Sequence, residues 1–136
     1  MMNWLAIDPG KTVGWATGYR GDEGYIELMG CGELPSHESI RRIGEVIEIF
    51  GVQRVAIERP SMKPRTGGDD ISREVGRELN NVLIDEYEMP IHWQTASDAK
   101  GVITDKRLKD MGFWMPGKPH ARDAIRHLII AIRREK

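Results

Sequence analysis

Two short apolar runs in this chain each end in a carboxylate, and this repeated pattern is what most constrains the fold. Residues 4–7, WLAI, lead directly into Asp8, and residues 55–57, VAI, lead into Glu58. Continuous apolar runs of this length are typical of buried parallel strands, which are covered on both faces. If the two strands are parallel neighbours, Asp8 and Glu58 lie side by side at one edge of a sheet.

The rest of the 136 residues alternates between strand-like and helix-like patterns. Apolar, β-branched or aromatic segments bounded by turn residues predict strands at 2–8, 12–19, 24–34, 52–58 and 91–95. Helical spacing predicts one helix between Ser36, an expected N-cap, and Gly51, and others at 71–88 and 119–134. Shorter helices are expected at 97–104, started by Ser97, and at 105–112, and residues 59–70 are expected to form a loop.

The turn signal at 21–24 makes the first three strands an antiparallel meander, while the later strands alternate with helices. The predicted fold class is therefore α/β. Its mixed five-stranded sheet has three antiparallel strands, then parallel ones, and is flanked by helices. With no repeat or linker visible, residues 1–136 are expected to form a single domain.

The segment HARDAIRH near the C-terminus carries further candidate site residues. His120, Asp123 and His127 are spaced i, i+3 and i+7, so they share a stripe distinct from the apolar one. His120 and Asp123 could lean over the sheet edge that bears Asp8 and Glu58. Carboxylate oxygens suit Mg²⁺, and such a set fits two divalent ions acting in phosphodiester hydrolysis. His127 is expected to be a packing or surface residue.

Each of these residues also has an ordinary structural interpretation. Asp8 precedes Pro-Gly, where aspartate commonly serves as a turn residue. A glutamate at a strand end, such as Glu58, is commonly solvated. An acid in the first turn of a helix, such as Asp123, is stabilised by the helix dipole. The combination in this order, rather than any single residue, favours a metal site.

Composition and charge limit the remaining possibilities. Residues 1–50 carry 4 basic and 8 acidic groups, whereas residues 51–136 carry 16 and 13, which allows a local basic face for phosphates. The single cysteine excludes an internal disulfide and favours a reducing compartment. No signal-peptide pattern or membrane-length apolar run is visible, so a cytoplasmic protein that does not engage membranes is expected.

Three segments, in order, resemble the motifs of the RuvC family of Holliday-junction resolvases. LAIDPGKTVGWAT resembles the first motif, VAIERP the second, and HARDAIRHLIIA the last helix. ASDAKGVITDKRL resembles the basic segment between them, so the resemblance covers nearly the whole chain. It implies a ribonuclease H-like fold and a metal-dependent crossover junction endodeoxyribonuclease. It also implies that two Mg²⁺ or Mn²⁺ ions are bound by four residues: Asp8, Glu58, His120 and Asp123.

The resemblance also implies partners. Family resolvases are homodimers that cut a four-way DNA junction, and the helix at 71–88 is the expected interface. Lys100 and Lys106 are expected to approach the DNA backbone. Arg59, Lys63 and Arg65 are expected to contact phosphates, with salt-dependent affinity. The segment RPSMKPRTGG lacks the aromatic residue that cellular members carry after the catalytic glutamate, and the short chain resembles a compact, phage-type version.

Three other functions agree with part of the sequence. IDPGKT also resembles the phosphate loop of the actin and sugar-kinase superfamily, but the chain lacks a second such hairpin and is too short for two domains. The YqgF group, ribonuclease H-like proteins of RNA processing, has a similar opening motif but lacks the His-x-x-Asp-Ala pattern in its last helix. A non-catalytic protein that binds branched DNA is the third alternative.

Overall fold

The computed structural model describes residues 1–59 and 67–135, without the side chains of residues 67–69. The strands are β1 (Trp4–Asp8), β2 (Thr12–Arg20), β3 (Ile26–Pro35), β4 (Arg54–Glu58) and β5 (Ile91–Gln94). The helices are α1 (Ser36–Phe50), α2 (Gly67–Asp85), α3 (Ala96–Lys100), α4 (Asp105–Asp110) and α5 (Pro119–Arg133). Within these described residues, no helix has both the length and the apolarity needed to cross a membrane.

The strands form one sheet in the order β3-β2-β1-β4-β5. β1 pairs antiparallel with β2, and β2 pairs antiparallel with β3. β1 pairs parallel with β4, and β4 pairs parallel with β5. The predicted mixed sheet is confirmed. β1 is the central strand and all of its residues are buried, which explains its unbroken apolar run.

Side chains that alternate along the strands separate two apolar cores, one on each face of the sheet. Leu5 and Ile7 of β1 belong to the core shared with α1 and α2, whereas Ala6 belongs to the core shared with α5. Ala16 and Ala56 of the neighbouring strands also face α5. Because these residues are small, α5 can lie close to the sheet.

Two predicted helix starts are wrong, and both errors concern capping. Pro35, not Ser36, is the N-cap of α1, and Ser36 is the first helical residue. α3 begins after Thr95, whose hydroxyl accepts a hydrogen bond from the Asp98 backbone N–H while the Asp98 carboxylate accepts one from the Thr95 N–H. This capping box satisfies two backbone donors at once, which a cap at Ser97 would not achieve.

The second helix also differs from its prediction of 71–88. α2 spans Gly67–Asp85, so it takes in the end of the predicted 59–70 loop and stops three residues earlier. Asp70 lies in its first turns, where negative charge favours the start of a helix. Glu88 has a positive φ of 53°, which is incompatible with a continuing α-helix. Residues 60–66 of the predicted loop lie outside the described residues.

Candidate active site

One transverse row of residues crosses all five strands at the carboxyl end of β1. Glu33 of β3 is paired with Gly14 of β2, and Gly14 is paired with Asp8 of β1. Ile7 is paired with Ile57, so Asp8 and Glu58 are the next residues in register, and Glu58 is paired with Gln94 of β5. Both carboxyl groups follow an alanine by two positions, so they share the face that carries α5.

Asp8 and Glu58 are close enough to share a hydrogen bond. Burial, followed by the hydrogen bond and the charge of Glu58, raises the pKa of Asp8 far above its ordinary value. Burial also disfavours the charged form of Glu58, but hydrogen bonds with His127 and Asp8 outweigh it and lower the pKa of Glu58. At neutral pH the pair therefore holds one proton, because two adjacent carboxylates that are largely shielded from water repel each other.

Helix α5 brings two histidines to this pair. Nδ1 of His120 lies 3.6 Å from Oδ2 of Asp8, and the His120 side chain is 45% exposed. Two turns further along the same stripe of the helix, Nε2 of His127 lies 3.4 Å from Oε1 of Glu58. His127 is buried, and its Nδ1 lies 2.8 Å from Oε1 of Gln94. The i, i+7 spacing therefore places one imidazole beside each carboxyl group.

Asp123 lies between the two histidines on α5 but is held by cations. Its Oδ1 accepts a hydrogen bond from Nη1 of Arg126 at 2.8 Å, and its Oδ2 lies 3.8 Å from Nζ of Lys100. Arg126 is itself buried, and it also pairs with Asp105 and donates to the carbonyl of Ile103. The charge of Asp123 still contributes to raising the pKa of Asp8, so Asp123 is near the carboxyl pair.

The donor set fits a divalent cation in part. Over residues 1–59 and 67–135, no three His, Cys, Asp or Glu side chains stand close enough together to hold an ion without moving. Asp8 and Glu58, however, are adjacent carboxyl groups that share a proton, and a divalent ion could take that proton's place. Hard oxygen donors suit Mg²⁺ or Mn²⁺. Asp123 could join such a site only by turning from Arg126 and Lys100.

Two features fix the start of α5 over this row. The backbone N–H groups of His120 and Ala121 donate to Oε2 of Glu33 at 2.7 and 3.2 Å, so a distant carboxylate caps the helix in place of its own N-cap, Lys118. Gly14 lies directly beneath, and a Cβ there would overlap the carbonyl of His120. No local sequence pattern predicts either contact, because Glu33 is 87 positions from His120 and Gly14 is further still.

A basic groove of about 560 Å³ lies beside Asp123. Lys100, Lys106, Arg122 and Arg126 line it together with Thr104 and Asp105. Lys100 and Lys106 are exposed, and Lys106 pairs with Asp110 at 2.9 Å. Both lysines therefore lie beside the candidate site, and their contact with DNA stays a prediction. Arg122 was not predicted, and it could have been found from its position one residue before Asp123.

Three further phosphate contacts were predicted, at Arg59, Lys63 and Arg65. Arg59 is exposed immediately after β4, and its backbone N–H donates to the carbonyl of Gln94. Lys63 and Arg65 lie outside the described residues. His127, predicted to be a packing or surface residue, is buried but also contacts Glu58. Its i+7 spacing from His120 was the available signal.

Comparisons with solved structures find the same fold in resolvases. RuvC of T. thermophilus, in complex with a Holliday junction substrate, matches with a TM-score of 0.69 and 20% identity, over 95% of this chain and 92% of that chain. The fowlpox virus Holliday junction resolvase matches with a TM-score of 0.61 and 10% identity, over 97% and 99%. The yeast mitochondrial Holliday junction resolvase matches with a TM-score of 0.66 and 12% identity, over 95% and 75%.

No protein-family model matches the chain. No curated protein matches it either. The structural matches nevertheless span nearly the whole chain and confirm the fold that the three motifs predicted. The chain has the ribonuclease H-like fold of the RuvC-type Holliday junction resolvases.

Proposed function

We propose that this chain is a metal-dependent, structure-selective endodeoxyribonuclease that hydrolyses phosphodiesters in branched DNA, with the four-way junction as its substrate. The observation that carries the proposal is the row at the end of β1. A buried carboxyl group, that of Asp8, and a partly buried one, that of Glu58, lie side by side there, each with an imidazole from α5 next to it. The fold similarity to a RuvC in complex with a Holliday junction substrate supports the choice of DNA structure.

The groups of the site can be given distinct roles. Asp8 and Glu58 would hold Mg²⁺ or Mn²⁺, and with Asp123 and His120 they form the proposed donors for two ions. When bound, such ions polarise a phosphodiester and activate water. His120 is half exposed and lies at the open side of Asp8, so it is the side chain placed to exchange a proton with solvent. Asp123 shares the basic groove with four cations, which would neutralise an approaching phosphate.

DNA binding is proposed to use the cations around this groove. Lys100 on α3 and Lys106 on α4 are exposed to solvent, and Arg59 directly follows Glu58 at the end of β4. Lys63 and Arg65 are proposed as further phosphate contacts. Contacts of this kind position a nucleic acid without reading its sequence, and they weaken as salt increases. A homodimer is proposed because a four-way junction offers two symmetry-related strands for cleavage.

A panel of labelled substrates tests the proposal. The full chain is incubated with a four-way DNA junction, a flap, a linear DNA duplex and a branched RNA, in Mg²⁺, Mn²⁺ or EDTA. We expect paired cuts in the junction with either metal, slow or no cutting of the linear duplex, and no cutting in EDTA. The matched variants are Asp8→Asn in the site and Asp22→Asn, a substitution of an exposed acid in the β2–β3 turn.

Other outcomes of the substrate panel would favour the alternative functions or contradict the proposed site. Cleavage of the branched RNA in preference to the DNA junction would favour the YqgF-like RNA-processing alternative. Tight junction binding without cleavage in any metal would favour the non-catalytic alternative, in which the Arg126–Asp123 ion pair is a permanent feature. Equal loss of cleavage in Asp22→Asn and Asp8→Asn would remove the carboxyl pair from the proposal.

A further inference from the structure

A second layer of polar side chains lies behind Glu58. His127 is 1% exposed and Gln94 is 3% exposed, so both are more deeply buried than the Glu58 side chain, which is 16% exposed. The imidazole of His127 spans the two: Nδ1 is 2.8 Å from Oε1 of Gln94, and Nε2 is 3.4 Å from Oε1 of Glu58. Gln94 is held by the sheet itself, because it is paired with Glu58 across β4 and β5.

The fold alone does not require this chain of polar groups. His127 is followed on α5 by five buried apolar residues: Leu128, Ile129, Ile130, Ala131 and Ile132. An apolar residue at position 127 would fill the same layer without the cost of burying an imidazole and an amide. Burying these two polar side chains specifically beside Glu58 therefore indicates a role toward that carboxylate.

We propose that Gln94 and His127 are positioning residues that orient Glu58 for metal binding. The inference rests on the proposed function, since it assigns them to the same carboxylate site. Gln94, anchored at the end of β5, fixes the orientation of the imidazole through Nδ1. With the Gln94 amide turned so that its NH2 group donates to Nδ1, the imidazole carries its proton on Nε2, donates it to Oε1 of Glu58 and leaves the other carboxylate oxygen to bind the ion. Groups that hold metal ligands in this way typically contribute 10–100-fold, in order of magnitude, to metal affinity.

His127 is a positioning residue, not a proposed metal ligand, because of where it lies. It sits behind Glu58, away from the solvent-exposed His120 and from the basic groove. Neither His127 nor Gln94 belongs to the residues that line the groove beside Asp123. Their effect should therefore appear in metal affinity rather than in DNA affinity.

The test measures Mn²⁺ binding to the full-length protein by isothermal titration calorimetry and by electron paramagnetic resonance of free Mn²⁺. His127→Phe keeps the ring shape but removes both polar contacts. His127→Gln is the conservative variant, because its amide can still donate to Glu58. His92→Phe is the matched control: His92 lies on the same face of β5, and its ring packs against Trp4 rather than Glu58.

We expect Mn²⁺ affinity to fall about 10–100-fold in His127→Phe and to be partly restored in His127→Gln. His92→Phe should bind as the wild type does. Junction affinity in EDTA should stay within about twofold in all three variants. Should His127→Phe fail to fold, Gln94→Leu tests the same arrangement, since it frees the imidazole from its anchor while leaving the ring in place.

The outcomes separate this inference from the proposed function. Unchanged or tighter Mn²⁺ binding in folded His127→Phe, or in Gln94→Leu, would overturn the positioning role, because a histidine that only competes for Glu58 would release it to the ion. Such a result would leave the metal-dependent nuclease intact. No Mn²⁺ binding by the wild type, with or without junction DNA, would overturn the proposed function and this inference together.

Discussion

Substituting Gly14 with alanine is a sharp test of how α5 is held over the acidic row. Gly14 is paired with Asp8, and the α5 backbone at His120 and Ala121 passes directly above it. An added Cβ would overlap the His120 carbonyl and stand only 3.0 Å from the Ala121 nitrogen. All of these neighbours are backbone atoms, so no side chain can rotate away. The start of α5 must therefore move.

The size of the effect follows from the overlap. Relieving the clash to ordinary van der Waals distance requires a shift of roughly 1.5 Å. Forcing extra volume into a packed interface typically costs about 1–3 kcal/mol of stability. The same shift carries His120 away from Asp8 and strains the hydrogen bonds to Glu33. A misplacement of about 1 Å in a catalytic group can reduce the rate about 100-fold.

The assay pairs two measurements on Gly14→Ala: urea unfolding and single-turnover cleavage of a four-way junction. We expect a loss of about 1–3 kcal/mol in unfolding free energy and a loss of about 100-fold in the cleavage rate. Gly21→Ala is the control, because a Cβ there approaches nothing closer than 3.4 Å. If Gly14→Ala unfolds and cleaves as Gly21→Ala does, α5 does not lie on the sheet as described.

Further predictions concern charge. Asp8→Asn should abolish cleavage, and its free energy of unfolding should increasingly exceed that of the wild type as pH rises above the ordinary aspartate pKa. The reason is that the pKa of Asp8 is raised in the folded state, so the wild type loses stability as pH rises toward that raised value. Chemical unfolding of both proteins at several pH values measures the difference in stability. Because Asp8 is protonated in the folded protein, Mn²⁺ binding should release a proton, and the Mn²⁺ affinity should rise with pH. Calorimetry in buffers of different ionisation enthalpy measures the number of protons released. A Mn²⁺ affinity that does not change with pH would contradict this prediction. Lys100→Ala should weaken junction binding equally across sequences and reduce the salt dependence of the binding constant by about one unit, as titrations at several salt concentrations would show. Glu33→Ala should lower the melting temperature and the cleavage rate together by uncapping α5, whereas a normal rate would show that the cap does not position His120.

Much of the architecture could be predicted because periodicity is a local property of the chain. The unbroken apolar runs before Asp8 and Glu58 reflect strands covered on both faces, and the structure places those strands side by side. The i, i+7 spacing of His120 and His127 likewise fixes one helix stripe. The helix boundaries were less predictable: at Thr95 and Pro35 the cap depends on which hydrogen bond the backbone completes, not on composition alone.

The amino-acid pattern alone shows which carboxyl groups end buried strands and which side chains share a face of α5, since both follow from the two-residue and 3.6-residue repeats of the backbone. Packing in three dimensions, by contrast, sets β1 and β4 in register, makes Glu33 the cap of α5, and brings His127 to Glu58 while Arg126 holds Asp123. These contacts join residues far apart in the chain or choose between partners on one helix. They depend on how closely α5 can approach a sheet lined by Ala6, Gly14 and Ala56, which no local pattern measures.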